Sequence, residues 1–335
     1  MSNTKVANSS HAIQNQQRTE FDLSNLVENV IEGILAGKNY RKSTFEAPGS
    51  RDDNLELSSY EVGSLTDSAG KKANVMVILS IDWQASWICE SQVGGWKRII
   101  MNLLGNALKY TDEGFVHISL QAEKGESPNG ITVTLQIEDS GRGISENYLK
   151  YELYTPFAQE DPLSIGTGLG LSIVKQLVTD FNGNIDIQSE LGYGTEVKVS
   201  VPLVSPTEGI ERKGIESEAL ITSTRARCTE LVLCLVGFLL YPDLSQTPTG
   251  ILTAQERRIL ILKSSIAKFA SDWFGMNTIT ANTFEAAKGD VLICLQSQLD
   301  ASDRFTGIQP LIVFEDVVRD DRPRDSEGVY YLLQP

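Results

Sequence analysis

Asn102, Asn106 and Lys109 fall within about 60° of one another on a helical wheel, opposite a half filled by Ile99, Ile100, Leu103, Leu104, Ala107 and Leu108. Two amides and an amine on one stripe make a polar site, or simply the solvated face of a helix. The segments that follow favour a site. Glu138-Asp139-Ser140-Gly141-Arg142-Gly143-Ile144 comes straight off an alternating strand, where glycines let the backbone turn tightly and approach a ligand. Alone, such a box is equally a hairpin turn. Gly166-Thr167-Gly168-Leu169-Gly170-Leu171-Ser172-Ile173-Val174 leads three glycines into a helix whose free amides can cradle phosphate. It lacks the Gly-Lys-Ser/Thr ending of a P-loop and the immediately preceding strand of a dinucleotide fingerprint. Gly192-Tyr193-Gly194-Thr195 opens the last alternating strand.

The elements that must position these residues can be read from periodicity. Leu23, Leu26, Val27, Val30, Ile31, Ile34 and Leu35 recur at helical spacing, with Asp22 or Ser24 as cap and Gly37 as stop. Val75–Ile81 reads as a strand. Alternation follows in Val116/Ile118/Leu120, in Ile131/Val133/Leu135/Ile137, in Ile185/Ile187 and in Val197/Val199/Val201. Such alternation means a sheet buried on one face only, hence mostly antiparallel, covered by helices at 94–110 and 170–181. The fold class expected for 21–204 is therefore an α+β two-layer sandwich. Residues 1–20 read as a disordered arm, 41–72 as polar loop and 205–227 as a linker. Beyond it, Leu231–Leu240, Val291–Leu295 and Leu311–Phe314 are continuous apolar runs, the mark of strands buried on both faces. A helix at about 253–273, a short strand near Thr278 and a last run at Val329–Leu333 complete a small parallel α/β, flavodoxin-like domain over 228–335.

The whole chain has 335 residues, enough for two domains, with 41% hydrophobic and 22% charged residues as in an ordinary globular protein. Its net charge of −15 argues against nucleic acid and anionic lipid as partners. Any phosphate ligand must be held by local backbone amides, a metal ion and a few placed cations. Cys89, Cys228, Cys234 and Cys294 show no metal-type pairing and read as buried thiols of a reducing, cytoplasmic compartment. The polar start is not expected to act as a signal peptide, and the longest apolar run is about half of what spans a bilayer.

The asparagine helix, the Asp139 box, Phe157-x-Gln159, the Gly166–Ser172 loop and the Gly192–Thr195 turn, in this order, resemble the ATP-binding domain of sensor histidine kinases, a fold shared with gyrase, heat-shock chaperone and mismatch-repair ATPases. The stretches Gly105–Gly114 and Tyr154–Val178 are similar to fungal hybrid histidine kinases in particular. The resemblance implies ATP and Mg2+ as ligands. It implies Asn106 as the magnesium ligand, supported by Asn102 one turn earlier, with Lys109 on phosphate and Asp139 accepting the adenine amino group. Gly141 and Gly143, followed by Ile144, would pass close to the base, with Thr195 helping to hold Asp139 and Tyr110 lining the pocket. Phe157 would anchor a lid, Gln159 to Ile165, over the phosphates. Gly166, Thr167, Gly168, Leu169, Gly170 and Leu171 would supply hinge and phosphate contacts.

The expected activity is transfer of the γ-phosphoryl of ATP to a histidine, within a two-component phosphorelay. The gyrase-like relatives place a glutamate four residues before the metal asparagine; here that position is Asn102, which cannot accept a proton, so hydrolysis is disfavoured. No acceptor fits: His11 lies in the polar arm, and His117 reads as a solvated strand residue opposite the apolar face. The phosphoacceptor hairpin is expected upstream and missing, so a partner segment or partner kinase must supply the histidine, and a downstream receiver protein is a possible further partner. A non-enzymatic ATP-binding regulator is the alternative. Segment 228–335 resembles the degenerate receiver-like domain of fungal hybrid kinases. Its first strand is followed by Gly237-Phe238-Leu239-Leu240 and its third by Gln296-Ser297-Gln298, neither offering a phosphoacceptor, and Asp290 precedes its strand. The chain is expected to be truncated at both ends.

Overall fold

The structure is a computed structural model. It describes residues 18–43, 74–84, 86–125, 130–161, 166–204, 215–238, 252–298, 309–314 and 329–332. The expected arm and the 41–72 loop lie outside these residues except at their edges.

The chain enters through a short strand, β1 (Thr19–Asp22), and a long helix, α1 (Leu23–Ser43). Asp22 caps that helix, accepting from the Asn25 amide at 3.0 Å and the Ser24 hydroxyl at 2.6 Å. Gly37 does not end the helix; α1 continues to Ser43. After β2 (Asn74–Ile81), strand β3 (Ile88–Ser91) pairs antiparallel with β1. The asparagine helix, α2 (Val93–Tyr110), buries Trp96, Ile99, Ile100, Leu103, Leu104, Ala107 and Leu108, the half-wheel expected from its spacing. The hairpin β4 (Glu113–Lys124) and β5 (Gly130–Asp139) follows, then the short helix α3 (Glu146–Tyr151), α4 (Gly170–Asp180), β6 (Asn184–Glu190) and β7 (Gly194–Val204).

These strands form a mixed sheet in the order β2-β4-β5-β7-β6, with β2–β4 parallel and the other pairings antiparallel. Its inner face packs with α1, α2 and α4 into one core, in which Val116, Ile118, Leu120, Val133, Leu135, Val199 and Val201 are buried. The sheet is not buried on one face only. Met76, Ile78 and Phe115 point to the outer face and are buried there by a helix of the second unit. The strand carries the reason: Val75–Leu79 are apolar at successive positions, as in a strand covered on both sides. His117 is accordingly half-buried rather than solvated. Its Nε2 lies 3.0 Å from the Ser80 hydroxyl, which donates to Ser265 Oγ at 2.8 Å across the junction.

Where the sequence reads as a linker, residues 215–228 form helix α5 (Ile215–Cys228). The second unit then runs through β8 (Val232–Val236), α6 (Ala254–Phe274), β9 (Asn277–Ala281), β10 (Val291–Leu295), β11 (Leu311–Phe314) and β12 (Val329–Leu332). Its strands lie in the order β12-β11-β10-β8-β9, all parallel. Thr253 and Glu256 close a capping box at the start of α6. This helix packs between the two sheets. Ile259, Ile261, Leu262 and Ile266 share one cluster with Leu233, Leu235, Ile293 and Leu295 behind them and with Met76, Ile78 and Phe115 in front. Full burial of a side chain of this size is worth about 1.5–3 kcal/mol, so the two units meet through a continuous core. Cys89, Cys234 and Cys294 are buried free thiols, while Cys228 is partly exposed. Burial and the nearby Asp22 push the Cys89 thiol up to about 12, which keeps it protonated and unreactive.

Candidate functional site

The polar stripe of α2 faces a cavity of about 290 Å³ between the helix, the ends of β5 and β7, and the Gly166–Gly170 loop. Asn102, Asn106, Lys109 and Tyr110 reach it from α2; Asp139, Gly143 and Ile144 from the end of β5; Thr195 from β7; Gly166, Thr167, Gly168, Gly170 and Leu171 from the loop and the start of α4. The fold thus brings together segments up to about ninety residues apart that the sequence presents as separate boxes. Gly141, Phe157 and Leu169 were expected at the site and do not line the cavity. Gly141 acts from behind, its amide donating to Asp139 Oδ1 at 2.9 Å. A Cβ at this position would collide with the Tyr110 carbonyl, so glycine is needed for the close approach. The Phe157 ring is 74% exposed, and its backbone amide, rather than its ring, holds the Gly168 carbonyl at 3.0 Å. Of the expected lid, residues 162–165 lie outside the described residues; Gln159 donates to the Gly166 carbonyl at 2.8 Å.

Asp139 is the buried acid of the site. Burial pushes its carboxyl up to about 6, against the amides of Gly141 and Thr195, which favour the charged form; Glu138 raises it further and Arg257 lowers it. Thr195 stands opposite Asp139 in the ladder, and its hydroxyl lies 2.8 Å from Ser189 Oγ, which also donates to the Gly194 carbonyl. Thr111 Oγ1, close to the same carboxylate, is buried with no protein partner, a polar atom that a water or ligand can satisfy.

At the other end the cations are organised. Lys109 Nζ lies 2.7 Å from the Tyr110 hydroxyl, and Arg142 stacks on the Tyr110 ring at 4.4 Å. Asn102 donates to the Arg98 carbonyl at 2.7 Å, leaving its oxygen toward Gly170. Sequence reasoning missed Arg142 and Tyr148, both on the cavity wall, while Glu160, also on the wall, falls within the expected lid. Arg142 sits inside the Asp139 box and could have been read from it. Tyr148 carries no periodic or spacing signal. Among the described residues no cluster of three or more His, Cys, Asp or Glu side chains offers a protein-made metal cage. The Asn102 and Asn106 amides that reach the cavity are oxygen donors of the type that can join phosphate oxygens and water around magnesium.

Residues 93–205 match the model of the family described as Histidine kinase-, DNA gyrase B-, and HSP90-like ATPase. The chain is also similar to curated relatives that are sensor kinases, histidine kinases or hybrid signal transduction proteins. The chain is 39% identical over 110 residues to the autoinducer 2 sensor kinase/phosphatase LuxQ of Vibrio vulnificus (strain CMCP6), covering 32% of this chain and 13% of that protein. It is 35% identical over 127 residues to the peroxide stress-activated histidine kinase mak2 of Schizosaccharomyces pombe, covering 36% of this chain and 6% of that one. It is 29% identical over 205 residues to the hybrid signal transduction protein dokA of Dictyostelium discoideum, covering 56% and 12%. The chain thus spans a small part of the length of each of these relatives. In fold it is similar to full-length ShkA, solved in complex with AMPPNP, with a TM-score of 0.55 and 17% identity over 89% of this chain and 49% of that one. Among the described residues no helix is long and apolar enough to cross a membrane.

Proposed function

We propose that the chain binds Mg-ATP in this cavity and transfers its γ-phosphoryl group to a histidine carried on a separate helical segment, as the catalytic part of a phosphorelay of the fungal hybrid type. The observation that carries the reading is the meeting of the Asn102–Asn106–Lys109 stripe and the Gly166–Gly170 loop with buried Asp139 across one cavity. Asp139 would accept the adenine amino group, a contact that guanine does not offer. Asn106 would contact the magnesium ion, Lys109 and the loop amides the phosphates, and Tyr110 and Ile144 the base. When bound, the magnesium ion supplies charge neutralisation on the phosphates. The protein's own contribution is positioning and fixed dipoles rather than proton transfer. An imidazole nitrogen attacks the γ-phosphorus, the bond to the β–γ bridging oxygen breaks, and ADP leaves with that electron pair.

The second unit supports the hybrid-kinase assignment. Counted within it, its strands lie in the order 2-1-3-4-5, the flavodoxin-like order shared by receiver domains. Among the described residues Gly237 and Phe238 follow its first strand and Gln296 its third, with no acid at either strand end, which supports a packing or regulatory module. The reading places the protein in the cytoplasm, with a histidine-bearing hairpin or partner kinase and a downstream receiver as partners.

A non-enzymatic ATP-binding regulator remains the second reading, and one observation favours it. His117, the only histidine among the described residues, is tied to Ser80 in the sheet away from the cavity. The chain is mixed with a separately expressed histidine-bearing hairpin and γ-labelled ATP. Acid-labile, alkali-stable label on the hairpin and none on the chain is expected. Binding of Mg-ATP with no label on either supports the regulator; stoichiometric label on the chain alone overturns the view that it holds no acceptor.

A further inference from the structure

Arg257 belongs to the second unit, yet it ends in the first. It lies on the opening turn of α6 and is only 4% exposed. Its guanidinium donates to Glu138 Oε1 at 2.8 Å and to the Tyr193 carbonyl at 2.9 Å. The same group stacks on the Tyr193 ring at 3.8 Å and lies 5.1 Å from the Phe115 ring. Neither anchoring point lines the candidate nucleotide cavity, but each lies within two residues of one that does, Asp139 and Thr195. Glu138 precedes Asp139 on β5. Tyr193 precedes Gly194 and Thr195, and the Gly194 backbone lies against the Asp139 carbonyl so closely that a Cβ there would collide with it. The Thr195 amide is one of the two that hold the Asp139 carboxylate. The start of α6 also abuts the β4 entry, since Ala254 lies beside Gly114, whose neighbour Phe115 donates its amide to Ser140 Oγ at 2.9 Å.

We propose that Arg257 is a positioning residue for the nucleotide cavity, clamping from the second unit both the strand end that carries Asp139 and the turn that supports it. The proposal rests on the reading that this cavity takes Mg-ATP. A planar, five-donor guanidinium suits the task, because one side chain bonds a carboxylate on one segment and a backbone carbonyl on another and stacks on an aromatic ring at once. Seating of α6 and occupation of the cavity are then linked. A second unit that dissociates from the sheet loosens the turn, and a bound nucleotide favours the docked helix by the same factor. The charges that act on Asp139 are Glu138 on its own strand, which raises its pKa, and Arg257, which lowers it. Lys109, Arg142, Tyr148 and Glu160 share the cavity with it. Removing the guanidinium therefore leaves Glu138 uncompensated and makes Asp139 harder to ionise.

The test compares wild type, Arg257→Met, Arg257→Lys and Lys268→Ala. The last cuts the 2.6 Å Lys268–Asp82 pair farther along the same helix and touches neither Glu138 nor Tyr193. Mg-ATP affinity is measured by calorimetry from pH 5 to 8, and amide exchange at Gly141 and Thr195 is followed without nucleotide. Arg257→Met is expected to weaken binding about tenfold, to move the pH at which binding halves upward, and to speed exchange at Thr195. The ligand's own titration is common to all four proteins and cancels in the comparison. Arg257→Lys keeps the charge without the fork, so affinity falls while the pH midpoint stays. Lys268→Ala leaves all three readouts at wild-type values. Unchanged readouts in Arg257→Met, or equal changes in Lys268→Ala, overturn the proposal. If wild type binds no Mg-ATP, the nucleotide reading falls, and the clamp is decided by exchange alone: faster at Thr195 in Arg257→Met sustains it, unchanged overturns it.

Discussion

The two five-stranded sheets invite comparison. Both are closed by buried aliphatic cores. In the mixed sheet, β5 ends in Glu138 and Asp139 and faces a helix with two asparagines and a lysine across an open cavity. In the parallel sheet, β8 ends before Gly237 and Phe238, and β10 runs into Gln296, which is itself buried. Binding chemistry in such folds sits at strand ends, and strand interiors only hold them in place. The second sheet has kept its interior and, at these two ends, carries no acid. What it contributes to the first is mechanical: helix α6, packed on the outer face of β2 and β4 with Arg257 at its tip.

The largest effect should come from the strand end itself. Asp139→Asn and Asn106→Asp are each expected to weaken Mg-ATP binding by about 100-fold, because each leaves a desolvated polar partner mismatched; circular dichroism should show the fold intact. Wild type should bind ATP far better than GTP in calorimetric titration, and equal affinities would remove Asp139 from its assigned role. A comparable energy, spent on stability instead, is expected from the interiors. Leu135 and Leu235 are both fully buried, one in each sheet. Leu135→Ala and Leu235→Ala should each cost about 2–5 kcal/mol in denaturant unfolding. A negligible cost for Leu235→Ala would mean that the second unit does not pack as described.

The smallest effect concerns the seam between the sheets. Burial holds the His117 imidazole below its ordinary pKa of 6.5, with Glu138 pulling the other way. A histidine whose folded pKa is depressed binds its proton more readily in the unfolded chain. Its contribution to stability is therefore present above pH 6.5 and is lost as the pH falls through that value toward the folded pKa. Between pH 7.5 and 5.5 the melting temperature of wild type should drop by about 2 °C more than that of His117→Gln. Equal slopes would show that the seam does not sense this proton.

Much of the site was legible because its parts are local. The stripe of α2 follows from 3.6 residues per turn, and the glycine segments declare tight backbone in whatever fold contains them. The inner face of the mixed sheet was legible for the same reason, since Val197, Val199 and Val201 need only alternate. Val75–Ile81 was harder: its apolar run from Val75 to Leu79 is compatible with a strand buried on both faces, but periodicity does not say what covers the second face. His117 was misjudged as solvated on that account, because the helix that buries its neighbourhood lies some 140 residues farther along the chain. Gly37 looked like a helix stop, yet a glycine in a helix costs only about 1 kcal/mol, and α1 runs through it. The sequence by itself determined the periodic elements, the boxes and their chemical types, all of which depend on short-range geometry. Only the tertiary structure decided that Arg257 meets Glu138 and Tyr193, that the Phe157 ring turns outward, and that Tyr148 joins the cavity wall. Those outcomes depend on which distant surfaces exclude water together, and no local pattern records that.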